Sequence, residues 1–392
     1  MTRKIVLIFA ALLLAICLVQ AAGAQERGAY TEVTAESTVT AVAISGDGVL
    51  IAAGSADGAV VGLNETGTVL WTYETGENVS AVAVSDTGPS IAVATENGTV
   101  TFLDADGSRV WSYPTDGPVR SLAITEDGRY VAAGSGRVYL YTYLGEALWN
   151  VSTGDAIRSV AISQDGQYIA VGTDNGRISL LGRRGNILWE NLARGVVPDV
   201  GISADGTVIA AGSADDNLYV YSRQGGLPWI KVTGTPILAL ALSRDGRYVV
   251  VGNRGGNLQF YQAGADQVFT EMLDDDVLDV AIADNGNAVA AGTANGTVAF
   301  MRTRTGANWT FPAGAPVTAV ALSGSADLLA AAAGNSTLIF RTAETPVPTT
   351  AAPTAAETTT TATPTPTAGG EGLLLGAAAC AAVALLIGRK RR

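Results

Sequence analysis

The residue types that most often do chemistry are scarce in this chain. Its 392 residues include no histidine, which removes the commonest general base, the usual triad base and the commonest zinc ligand together. The two cysteines, Cys17 and Cys380, both lie in apolar, membrane-type segments. The folded portion therefore has no disulfide, thiol nucleophile or cysteine metal site. Carboxylates and guanidinium groups remain. Asp274, Asp275 and Asp276 are consecutive, and three carboxylates have the oxygen chemistry of a Ca²⁺ site; a solvated acidic loop is the plainer reading and is preferred. Asp104-Ala105-Asp106-Gly107 starts like a calcium loop, but the rest of that motif is missing and a hairpin turn is expected. Arg183-Arg184 falls in another turn, where solvent contact is expected. No paired carboxylates, serine constellation or phosphate loop stands out, because the glycines are spent on turns. We expect no catalytic residue, no cofactor and no metal, and hence a protein that is not an enzyme.

The elements that carry these residues are repeated. All six tryptophans, Trp71, Trp111, Trp149, Trp189, Trp229 and Trp309, are spaced 40, 38, 40, 40 and 80 apart, with Phe269 filling the last gap. A second marker, Gly48, Gly88, Gly128, Gly166, Gly206, Gly246 and Gly286, runs in phase, with a degenerate copy near Ala326. A period of about 40–45 residues built of short strands is the signature of a propeller blade.

Residues 39–73 show one unit. Strands are expected at Val39–Ser45, Val49–Gly54, Ala59–Leu63 and Thr68–Tyr73, separated by Gly-containing turns of which Gly46-Asp47-Gly48 is the first. Four short strands joined this way make an antiparallel meander. The strands are nearly continuous in apolar residues, as expected where both faces of each sheet are covered. One first-strand position is always small: Ala43, Ala83, Ala123, Ala161, Gly201, Ala241, Ala281 and Ala321. That suits inner strands crowding a central channel. The tryptophans fall on the outer strands, where a large ring can fill the wedge between blades, so their expected role is structural. Gly28–Thr34 stands at a fourth-strand position, with Tyr30 next to the Trp slot, while the last repeat supplies three strands ending at Arg341. The fold class is therefore all-β: an eight-bladed propeller whose N-terminal strand closes the last blade. The first turn of the last repeat, Gly324–Asp327, reads as two residues longer than the others; seven blades with a stray hairpin is the alternative.

The ends describe a location. Arg3 and Lys4, the apolar run Ile5–Val19 and Ala22-Gly23-Ala24 read as a signal peptide spanning residues 1–24. The propeller domain is placed at residues 25–344. A stalk follows at 345–372, whose residues 345–368 hold 11 Thr and 5 Pro, a composition that cannot bury enough surface to fold. Residues 373–388 carry no charge and precede Arg389-Lys390-Arg391-Arg392. Sixteen residues is short against the ~20 that span a bilayer. A membrane helix with a basic cytoplasmic tail and a processed sorting signal are both open, and the helix is preferred. Either reading puts the propeller outside the cell, tethered to the membrane. The chain has 24 Lys and Arg against 36 Asp and Glu; six of the cations flank the apolar end segments, leaving 18 against 36. This sign repels phosphate backbones, so nucleic acid is excluded as a partner. Asn64, Asn78, Asn97, Asn150, Asn295, Asn308 and Asn335 each begin an Asn-X-Ser/Thr sequon and are glycan candidates.

Ala41–Gly48 and Gly54–Gly58 resemble WD40 repeats, and Asp57–Trp71 resembles the repeats of PQQ-like quinoprotein propellers, in which a Gly precedes a Trp on the outer strand. The resemblance covers residues 28–341. The arrangement of stalk, apolar stretch and basic tail resembles the C-terminal sorting signals of archaeal surface proteins, although Gly369-Gly370-Glu371-Gly372 stands where their introductory motif is usual. Two features of these families are missing: no Trp is followed by Asp, and the Cys-Cys pair of quinone-dependent alcohol dehydrogenases is absent. The parallel is with the non-enzymatic, protein-binding branch. The expected function is a non-catalytic surface module for a protein, glycan or envelope component. A quinone- or metal-dependent propeller enzyme and a purely structural envelope glycoprotein are the alternatives.

Overall fold

Each repeat folds as its turn chemistry dictates. In the fourth, strands Ile157–Ile162, Tyr168–Thr173, Arg177–Gly182 and Ile187–Leu192 pair antiparallel in chain order. In its first turn, Ser163 Oγ donates to Asp165 Oδ1 at 2.8 Å, which also accepts from the Gln167 amide at 3.0 Å, and the Tyr168 amide donates to Ser163 Oγ at 3.1 Å. Ser45 with Asp47, Thr125 with Asp127, Ser203 with Asp205 and Ser243 with Asp245 repeat this bond. The Asp of each Asp-Gly pair is thus a turn-building group. The last repeat needs a correction. Its first turn is no longer than the others: Leu322 and Leu328 flank it as Ile282 and Ala288 flank the preceding one. Ala326 takes the glycine place at φ +61° and makes the same bond to Ser323.

The computed structural model describes residues 25–26, 30–88, 90–227, 229–262 and 267–343. All of these belong to one unit ending at Thr349, and a second begins at Thr350. The signal peptide, the stalk, the C-terminal apolar segment and the basic tail expected from sequence lie outside the described residues. Among the described residues no helix is long and apolar enough to cross a membrane.

Eight antiparallel sheets result. Blades 1 to 7 are the complete four-stranded repeats, spanning Val39–Glu74, Val79–Pro114, Ser121–Val151, Ile157–Leu192, Asp199–Val232, Ile237–Met272 and Val277–Pro312. Blade 8 combines Val317–Leu322, Leu328–Ala333 and Ser336–Arg341 with the N-terminal strand Tyr30–Thr34, and Gln25–Glu26 adds a fifth strand outside it. This is the expected eight-bladed ring, closed as anticipated. The core is distributed: eight apolar clusters occur, one at each seam between neighbouring blades. Second strands such as Ile91–Thr95 are buried along their whole length, because both faces of a blade pack on neighbours. That explains why the strands read as continuous apolar runs rather than alternating ones.

The small first-strand residues line the channel. Ala43, Ala83, Ala123, Ala161, Gly201 and Ala241 bound a cavity of about 420 Å³ together with the Ile, Val and Leu residues beside them. The tryptophans do the outer work expected of them and one thing more. The indole N–H of Trp71, Trp111, Trp149 and Trp189 donates to a backbone carbonyl of the next blade, at Ala105, Tyr143, Arg183 and Arg223, over 2.6–3.1 Å. The ring lies so close beneath the following turn that a Cβ on Gly185 would sit 2.9 Å from Trp149.

Closure depends on Tyr30. It is 5 % exposed, with its ring 4.6 Å from Phe311 of blade 7 and 5.6 Å from Phe340 of blade 8. The register places Thr31 opposite Ile339, so Tyr30 indeed neighbours the Trp slot. Tyr30→Ala removes a buried ring from the seam and is expected to cost about 3–5 kcal/mol; urea unfolding of wild type and variant checks this.

Candidate functional site

The second residue after the first strand occupies an equivalent place in every blade and rings one mouth of the channel: Gly46, Asp86, Glu126, Gln164, Ala204, Arg244, Asp284 and Gly324. Backbone bonds run around this ring, from the Gln164 amide to the Ala204 carbonyl at 3.0 Å, then Ala204 to Arg244, Arg244 to Asp284, Asp284 to Gly324 and Gly324 to Gly46 over 2.8–3.2 Å. Arg244 extends from blade 6 over the mouth. Its guanidinium pairs with Glu126 of blade 3, with Asp86 of blade 2 at 3.4 Å and with Asp284 of blade 7 at 3.6 Å. Two ring positions are glycine because the acids lie over them: a Cβ on Gly46 would meet Asp86 at 2.7 Å, and one on Gly324 would meet Asp284 at 2.6 Å.

The charges do not balance. One guanidinium serves three carboxylates. Burial and the neighbouring charges of Asp284 and Glu126 raise the Asp86 pKa despite the opposing pull of Arg244. The mouth therefore carries excess negative charge in a partly desolvated place, which attracts cations more strongly than the same charge spread in water.

Two further carboxylates lie in the channel wall. Asp199 of blade 5 accepts hydrogen bonds from the Val200 amide beside it, from Ser159 Oγ of blade 4 and from the Leu240 amide of blade 6. Asp279 likewise joins the Val280 amide to the Val320 amide of blade 8. Both retain some accessible surface inside the channel, yet protein surrounds them. Burial pushes Asp199 up to about 6 and Asp279 to about 7, against the hydrogen bonds that favour ionisation. Sequence reasoning missed all of these residues except as contributors to net charge. The available signal was the repeat itself: two residues past the first strand, a single Arg stands among three acids.

The residues singled out from sequence land elsewhere. Asp274, Asp275 and Asp276 do not converge. Asp274 accepts from Thr297, Asp275 caps the Asp276 amide, and Asp276 accepts from the Gly255 amide with Arg254 at 3.9 Å. No group of three or more His, Cys, Asp or Glu residues among the described residues is placed to hold a metal ion. Asp104 and Asp106 form a hairpin turn, both accepting from the Ser108 amide. Of the Arg183-Arg184 turn, Arg184 is exposed as expected, whereas Arg183 is half-buried: it lies over the Tyr130 ring of the preceding blade at 4.6 Å and donates to Gly166 and Asp165 carbonyls. Arg223 repeats this on Tyr168 at 4.6 Å. A turn seen in one dimension looks exposed, and only the adjacent blade supplies the aromatic face. The glycan candidates divide: Asn97, Asn150, Asn295, Asn308 and Asn335 are exposed, whereas Asn64 and Asn78 are half-buried.

This geometry defines an eight-bladed β-propeller of PQQ-like repeats, with a charged mouth and an apolar channel. The chain belongs to the family described as outer membrane protein assembly factor BamB, which it matches over residues 31–167 and 123–345. Comparison with curated proteins gave no match. Among solved structures, the computationally designed Ika8 protein is similar at a TM-score of 0.69 and 18 % identity, covering 79 % of this chain and 97 % of that one. Sqt1 of Chaetomium thermophilum, bound to the N-terminus of ribosomal protein L10, is similar at a TM-score of 0.68 and 13 % identity, covering 78 % and 97 %. At these identities the two likenesses concern the fold. A quinone cofactor does not suit the channel. Its wall is Ala, Val, Ile and Leu, its titratable groups Asp199 and Asp279 are acidic, and Arg244 at the mouth is already engaged.

The wall carboxylates set a pH dependence. The folded-state pKa values of Asp199 and Asp279 stand above the ordinary 3.8. Between pH 4 and 7 the folded chain therefore holds protons that the unfolded chain has released. Their contribution is greatest near pH 4 and is lost as pH rises through 6 and 7. The thermal midpoint is expected to fall from pH 5 to pH 8, and the slope to flatten in Asp199→Asn plus Asp279→Asn; thermal scans across that range test it.

Proposed function

We propose that this protein is a non-catalytic binding module, held outside the cell by a C-terminal membrane anchor, which engages a cationic segment of another protein at the Arg244 mouth. The observation that carries this reading is the convergence of charged side chains from four blades, Asp86, Glu126, Arg244 and Asp284, on one opening. The first turns around it add Asp47, Asp127, Asp165, Asp205 and Asp245 on the same rim. A rigid ring presenting a fixed array of acids binds at low ordering cost, and its field speeds encounter with basic partners. Two likenesses support the reading. The family is described as an assembly factor, and a propeller of this fold holds the N-terminal end of another protein.

The test is cross-linking capture on intact native cells with the full-length tagged protein, comparing wild type with Asp86→Asn plus Glu126→Gln. A protein partner is expected whose yield falls at least tenfold in the double variant and declines with added salt. Equal capture by both proteins, or a defined turnover that survives purification, would sink the proposal.

Glycosylation belongs to the same reading. Where the host attaches N-glycans, glycopeptide mass spectrometry is expected to find them at the exposed Asn97, Asn150, Asn295, Asn308 and Asn335 ahead of Asn64 and Asn78. Asn78 is the poorest acceptor, because its amide oxygen is buried without a partner among the described residues.

A further inference from the structure

The eight seams of the ring are tied unequally. Near the channel, a polar side chain on a first strand reaches the neighbouring first strand, or the residue leading into it, at seven of them. Thr40 donates to the Val79 carbonyl at 2.6 Å, Ser80 to Val119 at 2.5 Å and Thr318 to Val39 at 3.3 Å. Ser121 accepts from the Val160 amide at 3.1 Å and Ser159 from Val200 at 3.2 Å. Asp199 accepts from Leu240 at 2.8 Å and Asp279 from Val320 at 2.7 Å. Between blades 6 and 7 the corresponding residues are Leu238 and Ala239, which have no polar group to offer.

The outer ties fail at the same seam. Where blades 1 to 4 each send a Trp N–H to the next blade, blade 6 has Phe269, which stacks on Phe260 of its own blade at 5.1 Å. Where Arg183 and Arg223 lie over a tyrosine of the preceding blade, blade 7 has Thr303, whose hydroxyl is spent on Gly286 within its own blade. The seams flanking blade 8 lack the indole bond as well, since Trp309 Nε1 is buried without a partner among the described residues and Thr31 fills the next slot. Both, however, keep their inner clamp. Only the seam between blades 6 and 7 lacks the inner clamp and the outer tie together among the described residues.

We propose that the ring opens locally at this seam and that Arg244 is its latch. Besides the connector and the apolar cluster, what joins blades 6 and 7 at the mouth is the Arg244 amide bond to the Asp284 carbonyl at 3.0 Å and the Arg244–Asp284 ion pair. Polar ties are directional and fail together when blades separate, whereas an apolar cluster tolerates small displacements, so the least-tied seam has the lowest local opening free energy. Because Arg244 also holds Asp86 and Glu126, a cationic segment that pairs with Asp284 in its place loosens the seam. This last link rests on the binding mouth proposed above; the weakness of the seam does not.

Native-state hydrogen exchange of the full-length protein, read by mass spectrometry, tests both parts. Amides of Gln267–Met272 and Val277–Ile282 are expected to exchange at least tenfold faster than those of the matching strands Ile187–Leu192 and Asp199–Ile202. Phe269→Trp plus Ala239→Ser, which installs the ties found elsewhere, is expected to slow exchange at this seam and leave the others unchanged. Arg244→Ala is expected to speed it there selectively. Equal protection at the two seams in wild type would overturn the proposal, and so would an unchanged rate in the stabilising double variant. Selective slowing by that variant with no selective effect of Arg244→Ala would keep the weak seam and discard the latch, and with it the coupling to the mouth.

Discussion

The inner strand of every blade has an edge that no strand can pair. It faces the channel, its neighbours are inner strands of other blades splayed around the ring, and its backbone groups still need partners. Side chains supply them: Thr40, Ser80 and Thr318 donate to carbonyls across a seam, while Ser121, Ser159, Asp199 and Asp279 accept from amides. This requirement explains why carboxylates occur in an otherwise apolar wall, and why they carry raised pKa values. It also explains the small residue beside them, since eight inner strands can converge only where Ala or Gly allows it.

The remainder of the ring follows from packing at the seams. Each apolar cluster belongs to two blades, so no blade has a complete core of its own and each depends on its neighbours. The N-terminal strand closes it through Tyr30, which joins the aromatic group of Phe311 and Phe340. At the outer edge the indole rings fill the wedge that widens with distance from the axis, and their N–H groups give the seams a directional bond besides dispersion. Regular packing of this type leaves little freedom in the strands. The charged mouth lies in the turns that follow the first strands.

The charge of the chain is divided among distinct jobs. Many aspartates close their own turns through a neighbouring Ser or Thr, two bridge inner strands, and Asp86 and Asp284 join Glu126 around Arg244. The net negative balance therefore does not describe one acidic surface. It is the sum of structural carboxylates, some of them on the rim of the mouth, and a small set that converges on Arg244.

The sequence by itself determined the ring. The Trp period, the in-phase Asp-Gly turns and the row of small first-strand residues are local, periodic signals, and each reports a physical need repeated in every blade. The closing strand followed from phase, which also favoured eight blades over seven; the eight sheets of the closed ring decided the count. The site was not legible in this way. Asp274–Asp276 are adjacent in the chain and looked like a cluster, yet the backbone turns them toward Thr297, Gly255 and their own amide. Asp86, Glu126, Arg244 and Asp284 are spread over nearly two hundred residues and meet because a closed ring brings blades 2, 3, 6 and 7 to one axis. Arg183 looked solvent-exposed until the preceding blade placed Tyr130 beneath it. Periodicity determines which residues occupy equivalent positions; only closure of the ring decides which of those positions face each other, because contacts across the channel are set by rotation about its axis and not by distance along the chain.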